Sequence, residues 1–196
     1  MTVATIEAIN AGSLDERHAD YATAQAAAVA SEGAFNDQES FSLGQGYGVT
    51  VLTPPGSEFL IWRDGLVFDI TSLPSGAIIT AVTLSLYGVL DTSDTDFNIT
   101  IVSGSNLANV LVDTDYGDLL AATTSYGALT TAGLLLNAYS DIVLTATGLA
   151  DLQTAVTLGM GRWRVGIRSS RDISATTPKL NGADAWEYVG IYGLTT

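Results

Sequence analysis

The sequence predicts an all-β protein: an antiparallel β-sandwich of the jelly-roll type with an amino-terminal arm and one short helix. Three observations carry this reading. In the stretch Phe59–Tyr87, residues Trp62, Leu66, Phe68 and Ile70 mark an apolar strand face, and Leu73-Pro74-Ser75-Gly76 supplies turn chemistry. From Ile79 to Tyr87, Val82, Leu84 and Leu86 then alternate with Ala81, Thr83 and Ser85, so a hairpin is expected here. Near the carboxy terminus, Arg162–Arg168 and Trp186–Tyr192 read as two further long strands. In the first, the arginines share one face and Trp163, Val165 and Ile167 the other, so one face is expected to be core and the other charged and turned to solvent or a partner.

Length and charge set the outer bounds. A chain of 196 residues can bury a full core without disulfides or metal, and with no cysteine it has no thiolate chemistry and needs no oxidising compartment. The expected division is an arm over residues 1–40 and a sandwich over residues 41–196. Residues 1–161 carry 18 acidic and 2 basic side chains, and residues 162–196 carry 3 and 5, for a net charge of −14. That charge opposes binding to nucleic acid or an anionic membrane surface. No apolar run approaches the roughly 20 residues that a membrane-spanning helix needs. The opening MTVATIEAINAG lacks a basic, then apolar, leader pattern, so a secretory signal is not expected.

The run Arg63-Asp64-Gly65-Leu66-Val67-Phe68-Asp69-Ile70, followed by Leu73-Pro74-Ser75-Gly76-Ala77-Ile78-Ile79 and Ala81-Val82-Thr83-Leu84-Ser85-Leu86-Tyr87, resembles the core pattern of DNRLRE-type jelly-roll domains. Downstream, the segment Gly166 to Thr176, with Pro178 and Glu187-Tyr188-Val189, is similar to the closing segment of free-standing members encoded by tailed bacteriophages and bacterial surface loci. The resemblance spans residues 40–192 and rests on turn and core residues, so it implies a fold and a setting and no catalytic signature.

In chain order, Asp20 to Ala30 is expected to form a short helix capped by Asp20 and stopped by Gly33. The arm that contains it could pack on a neighbouring subunit or across its own sandwich. Phe41 to Leu52 offers two strand-like pieces around Gly44, Gly46 and Gly48, in a spacing without the strand and helix context of a dinucleotide loop. A turn is expected at Thr53–Ser57. Beyond a polar loop at Val89–Thr95, Phe97, Ile99 and Ile101 alternate with Asn98, Thr100 and Val102 as a half-buried strand of a hairpin. Residues 103–141 read as short edge strands and a surface loop, Ile142 to Leu144 restarts a strand, and Ala146 to Val156 has helical spacing.

Candidate chemistry is sparse, and no enzyme is expected. The single histidine, His18, lies in the arm, away from any nucleophile, so a serine hydrolase lacks its base and a zinc site lacks ligands. Among metals, calcium suits the chain best, because Asp91, Asp94 and Asp96, and separately Asp113, Asp115 and Asp118, space carboxylates closely. Neither group has the closing glutamate of an EF-hand, and plain solvated acidic loops compete with that reading. Trp62, Trp163 and Trp186 could form a sugar-stacking platform or sit in the core. Arg164, Arg168 and Arg171 are expected to pair with carboxylates within the sandwich or across a subunit contact.

The resemblance therefore implies a non-enzymatic virion protein without a cofactor, decorating the exterior of a tailed-phage capsid and made in the bacterial cytoplasm. Its partners would be the major capsid protein and copies of itself, as a homotrimer or another small homo-oligomer. The alternative is a carbohydrate-binding or adhesive module on a tail, fibre or cell surface.

Overall fold

The computed structural model describes residues 3–37, 40–50, 56–178 and 185–192. Its longest strand, Gly56–Asp69, organises the others. In chain order the elements are β1 (Ala8–His18), α1 (Tyr21–Gln25), β2 (Gly33–Asn36), β3 (Ser40–Thr50), β4 (Gly56–Asp69), β5 (Thr83–Asp91) and β6 (Asn98–Ser103). Then follow α2 (Asp115–Leu120), β7 (Gly127–Thr130), β8 (Ala138–Val143), α3 (Ala146–Thr157), β9 (Arg162–Ser169), α4 (Ser170–Ile173) and β10 (Ala185–Tyr192). Every strand pairing is antiparallel.

One edge of β4 carries β1, paired from Ala8↔Phe68 to His18↔Phe59. The other edge forks: β3 occupies residues 56–62 and β9 occupies residues 64–69. From β9 the first sheet continues to β6 and β7, and from β3 the second continues to β10, β5 and β8. Because both sheets leave β4 by the same edge and then stack, the core between them is bounded by one face of β4's carboxy-terminal half and the opposite face of the β3 sheet. Leu66 and Phe68 thus point into it with Trp163, Val165, Ile167, Ile99 and Ile101, and Phe41, Leu43, Val189, Ile191, Leu84, Leu86 and Ile142 meet them from the second sheet.

A second apolar cluster lies behind the first sheet. Leu14, Ile61 and Val102 pack there against Tyr21 and Ala24 of α1, Leu107 and Leu111 of the following loop, and Tyr116 and Leu119 of α2. β6 is therefore buried on both faces, with Ile99 and Ile101 in one core and Val102 in the other, in place of the half-buried strand expected. α3 caps the open end of the main core through Leu152, Ala155 and Val156, and Thr145 serves as its N-cap.

The segment read as an arm is built into this fold. Its residues 8–18 are β1, and α1 is capped by Asp20, which accepts from the Thr23 amide, but α1 ends at Gln25, well before Gly33. Neither expected hairpin forms. β4 pairs with β1, β3 and β9, and β5 pairs with β8 and β10, so residues 70–82 cross from one sheet to the other. The turn at Leu73–Gly76 exists, with the Ala77 amide donating to the Pro74 carbonyl, but no strand resumes at Ile79, whose amide bonds Gln153 Oε1. A tight hairpin needs only about two to five linking residues, and a longer link is free to change sheets. β5 and β6 are separated in the same way, because β6 pairs with β7 and β9. Of the turn expected at Thr53–Ser57, residues 53–55 lie outside the described residues, and Ser57 belongs to β4.

Candidate functional site

Three groups of polar or aromatic residues stand out once the strands are placed: an ionic cluster behind the first sheet, a carboxyl pair at the fork, and an open aromatic face on the second sheet.

The ionic cluster is internal. Arg63 points from β4 into the helical layer, where its Nε and Nη2 donate to Asp172 Oδ2 and Oδ1 at 2.8 Å each. Arg168 Nε donates to the same Oδ2 at 2.7 Å, and all three side chains are fully buried. Most of the remaining guanidinium hydrogens reach backbone, while Arg168 Nη2 has no hydrogen-bond partner among the described residues. Arg63 Nη1 bonds the Tyr116 carbonyl and Nη2 the Gln25 carbonyl, and Arg168 Nη1 reaches the carbonyls of Leu119, Leu120 and Ala122 at the end of α2. Arg63 also lies 3.9 Å over the Tyr116 ring. Burial alone would push the Asp172 carboxyl up, but Arg63 and Arg168 outweigh it and hold the group below the usual carboxylate range.

The cluster thus ties α1, α2 and α4 to β4 and β9. Arg168 is not solvent-facing as its strand pattern suggested, because α2 and α4 cover that side of the sheet. Of the other arginines, Arg171 pairs with Glu187, as expected of an internal carboxylate partner, whereas Arg164 donates to Asn109 Oδ1 at 2.7 Å.

At the fork, Asp64 is fully buried opposite Ser13 of β1. Among the described residues neither of its carboxylate oxygens has a hydrogen-bond partner of good geometry, and burial first, then Asp15, push it well above the usual carboxylate range against the smaller opposing pull of the neighbouring Ser13 hydroxyl.

The third group is the outer face of the second sheet, where Trp186, Tyr188 and Tyr192 alternate with the core residues Val189 and Ile191 of β10. Trp62 sits 5.2 Å from Tyr188 and 6.3 Å from Trp186, ring centroid to ring centroid, and Tyr87 lies 5.2 Å from both Tyr139 and Tyr192. The opposed strand β3 contributes glycine, which leaves room for the rings of β10. A Cβ at Gly46 would stand 2.6 Å from the Trp186 ring, and Gly44, at φ +140°, would put one 2.3 Å from the Glu187 carbonyl. Trp186, Tyr192, Tyr139, Leu90 and Val143 are all exposed. Ser85 and Asp141 bridge on the same face at 2.6 Å.

Of the three tryptophans, Trp163 is core, donating to Asp151 Oδ2, Trp62 is nearly buried, and only Trp186 is open. Four of the aspartates read as calcium ligands accept hydrogen bonds from amides and hydroxyls of the protein. Asp91 accepts from Ser93, Asp96 from Thr131, Asp113 from the Ala34 amide, and Asp115 from the Ala108 and Val112 amides. Asp115 and Asp118 lie within α2, and Asp94 stays in the loop between β5 and β6. Among the described residues, no three acidic or histidine side chains converge to hold an ion. His18 is exposed at the end of β1, where its Nδ1 accepts from the Asp20 amide.

The fold defines the chain as an all-β sandwich protein. No family model matches the chain, and no curated protein matches it.

Sequence reasoning missed Asp172 and the role of Arg63. The signal was present: an arginine placed inside an apolar strand, and the four-residue spacing from Arg168 to Asp172. The β10 aromatic row was equally readable from the alternation of Trp186, Tyr188 and Tyr192 with Val189 and Ile191.

Proposed function

We propose that this chain is a non-enzymatic structural protein of a virion, a decoration (cement) protein that binds the exterior of a tailed-phage capsid as a small homo-oligomer such as a trimer. The observation that carries the reading is the contrast between a spent interior and an open face. The buried ion pairs cross-link the fold to itself, while Trp186, Tyr192, Tyr139, Leu90 and Val143 present a broad aromatic and aliphatic surface. A contiguous apolar patch on an acidic protein is a place for protein contact. The resemblance to phage-encoded jelly rolls supplies the setting. Mechanistically, a protein that binds the assembled lattice and not loose subunits stabilises the lattice by its binding free energy.

The test is the copy number of this chain relative to the major capsid protein in purified particles, by quantitative mass spectrometry, for the wild type and for Tyr139→Ser/Val143→Thr. A ratio near that of the shell protein, lost in the variant, is expected. Absence of the wild-type chain from particles would overturn the proposal.

A second reading, a carbohydrate-binding module, is favoured by one feature: the open Trp186 ring lying over Gly46 beside Trp62 and Tyr188. An open indole face of this kind can stack on a sugar ring. Tryptophan fluorescence titrated with neutral oligosaccharides tests it. A saturable change that Trp186→Ala abolishes supports the module, and a flat response across a glycan panel ends it.

A further inference from the structure

The fork places an uncompensated carboxyl where the fold can least tolerate charge. Asp64 lies on β4 at the point where β3 leaves the edge and β9 joins it, with Ser13 opposite on β1 and Ile167 opposite on β9. Its neighbours on the same face can be named. On β1 these are Ser13 and Asp15, on β4 Trp62 and, further along, Glu58, and beyond the fork Gly44 of β3 and Tyr188 of β10, which packs on Trp62. Arg63 and Arg168 face the other side of the sheet, and their charge is engaged by Asp172. Arg17, on the same face of β1, acts on Asp15 and pairs with Glu32 at 3.6 Å. No positive side chain among the described residues therefore neutralises Asp64.

Ser13 resolves the arrangement. Its hydroxyl hydrogen is committed to Asp15, since Oγ donates to Asp15 Oδ1 at 2.6 Å; burial raises the Asp15 carboxyl, and the hydrogen bonds from Ser13 and Trp62 pull it back towards the ionised form. The Ser13 oxygen can then only accept, and an ionised Asp64 has no hydrogen to offer it. A neutral Asp64 does.

We infer that Asp64 is a protonated carboxylic acid in the folded protein, that it completes a chain from its own hydroxyl through Ser13 to the Asp15 carboxylate, and that loss of its proton loosens β1 from the fork. On ionisation the proton leaves to solvent. A buried negative charge is then left beside the half-buried Asp15, opposite the strand that carries it. A bound cation would be the other way to neutralise the pair, but two carboxylates and one hydroxyl fall short of the about six to eight oxygens calcium takes.

The direction of the pH effect follows from linkage. A carboxyl whose folded pKa lies above its unfolded value favours the folded state fully below the unfolded value. That contribution is lost as pH rises through the folded one. The inference concerns the fold itself and is independent of what the open sheet face binds.

The experiment follows thermal unfolding and hydrogen exchange of the β1 amides from about pH 5 to about pH 9 in the full-length wild type and Asp64→Asn, with calcium or chelator present. The wild type is expected to lose more than about 5 °C of Tm together with β1 protection as pH rises, whereas Asp64→Asn stays nearly flat and exceeds it at the alkaline end. Parallel pH profiles for the two proteins would overturn the inference, as would calcium restoring the wild type alone. If Asp64→Asn does not fold, Asp15→Asn must reduce the alkaline loss, and an unchanged loss counts against the lock. On the wild-type protein, the carboxyl carbon resonance of Asp64 reads the proton directly: a neutral signal at about pH 5, above the ordinary carboxylate range, is expected, and an ionised one there overturns the proposal.

Discussion

The outer faces of the two sheets have been treated in opposite ways. The first sheet, through β4, β6 and β9, is covered by α1, α2 and α4 and cross-linked by Arg63, Arg168 and Asp172. The second, through β3, β10, β5 and β8, has aromatic and aliphatic side chains on its outer face and no described helix over them. Coverage on one side concentrates stability in a few buried polar contacts. On the other, side chains with little structural duty are free to meet a partner. A mutation should therefore cost fold on the first face and attachment on the second.

The sharpest way to break this comparison is Asp172→Ala. It strands two buried guanidinium groups and removes the side chain that joins α4 to β4, so a loss of about 3 to 5 kcal/mol is expected in urea unfolding. A loss no larger than that of a surface substitution would show that the helical layer does not depend on the cluster.

Gly44→Ala tests the boundary between the two regimes. Its φ of +140° and the 2.3 Å approach to the Glu187 carbonyl make any side chain there strained, with an expected cost of about 2 to 4 kcal/mol. It would also lift Tyr188 from the face, so fold and attachment should fall together. The smallest effect belongs to Trp186→Ala and Tyr139→Ser, where stability should stay within about 0.5 kcal/mol of wild type while particle attachment or glycan response falls. Cooperative unfolding at a much lower urea midpoint would instead make these aromatics structural.

Much of this organisation was readable in advance, and the limits have identifiable causes. Helix α3 was legible because Leu149, Leu152 and Val156 keep a helical period over several turns. β9 and β10 were legible because their core residues alternate. The two hairpins were misjudged because adjacency in sequence implies pairing only when the link is short. The amino-terminal segment looked weakly patterned because Ala8-Ile9-Asn10-Ala11-Gly12-Ser13 is small or polar. β1 belongs in the sheet because small residues let Leu107 and Leu111 pack closely over it and β4, as the 3.2 Å space at Gly12 and the 2.8 Å space at Gly65 show. The candidate calcium aspartates were visible as spacing. Their use as hydrogen-bond acceptors was not, because the Ala34 amide that meets Asp113 and the Thr131 hydroxyl that meets Asp96 come from distant segments.

What the sequence determined by itself was the class of fold, the acidity and most of the strand faces, because alternation, turn residues and charge act locally and are written in local order. What only the tertiary structure decided was which edges pair, that β4 forks, and that Arg63, Arg168 and Asp172 meet. The Arg63–Asp172 contact joins residues 109 positions apart. Its existence depends on two sheets leaving one strand by the same edge, a geometry that no local pattern encodes.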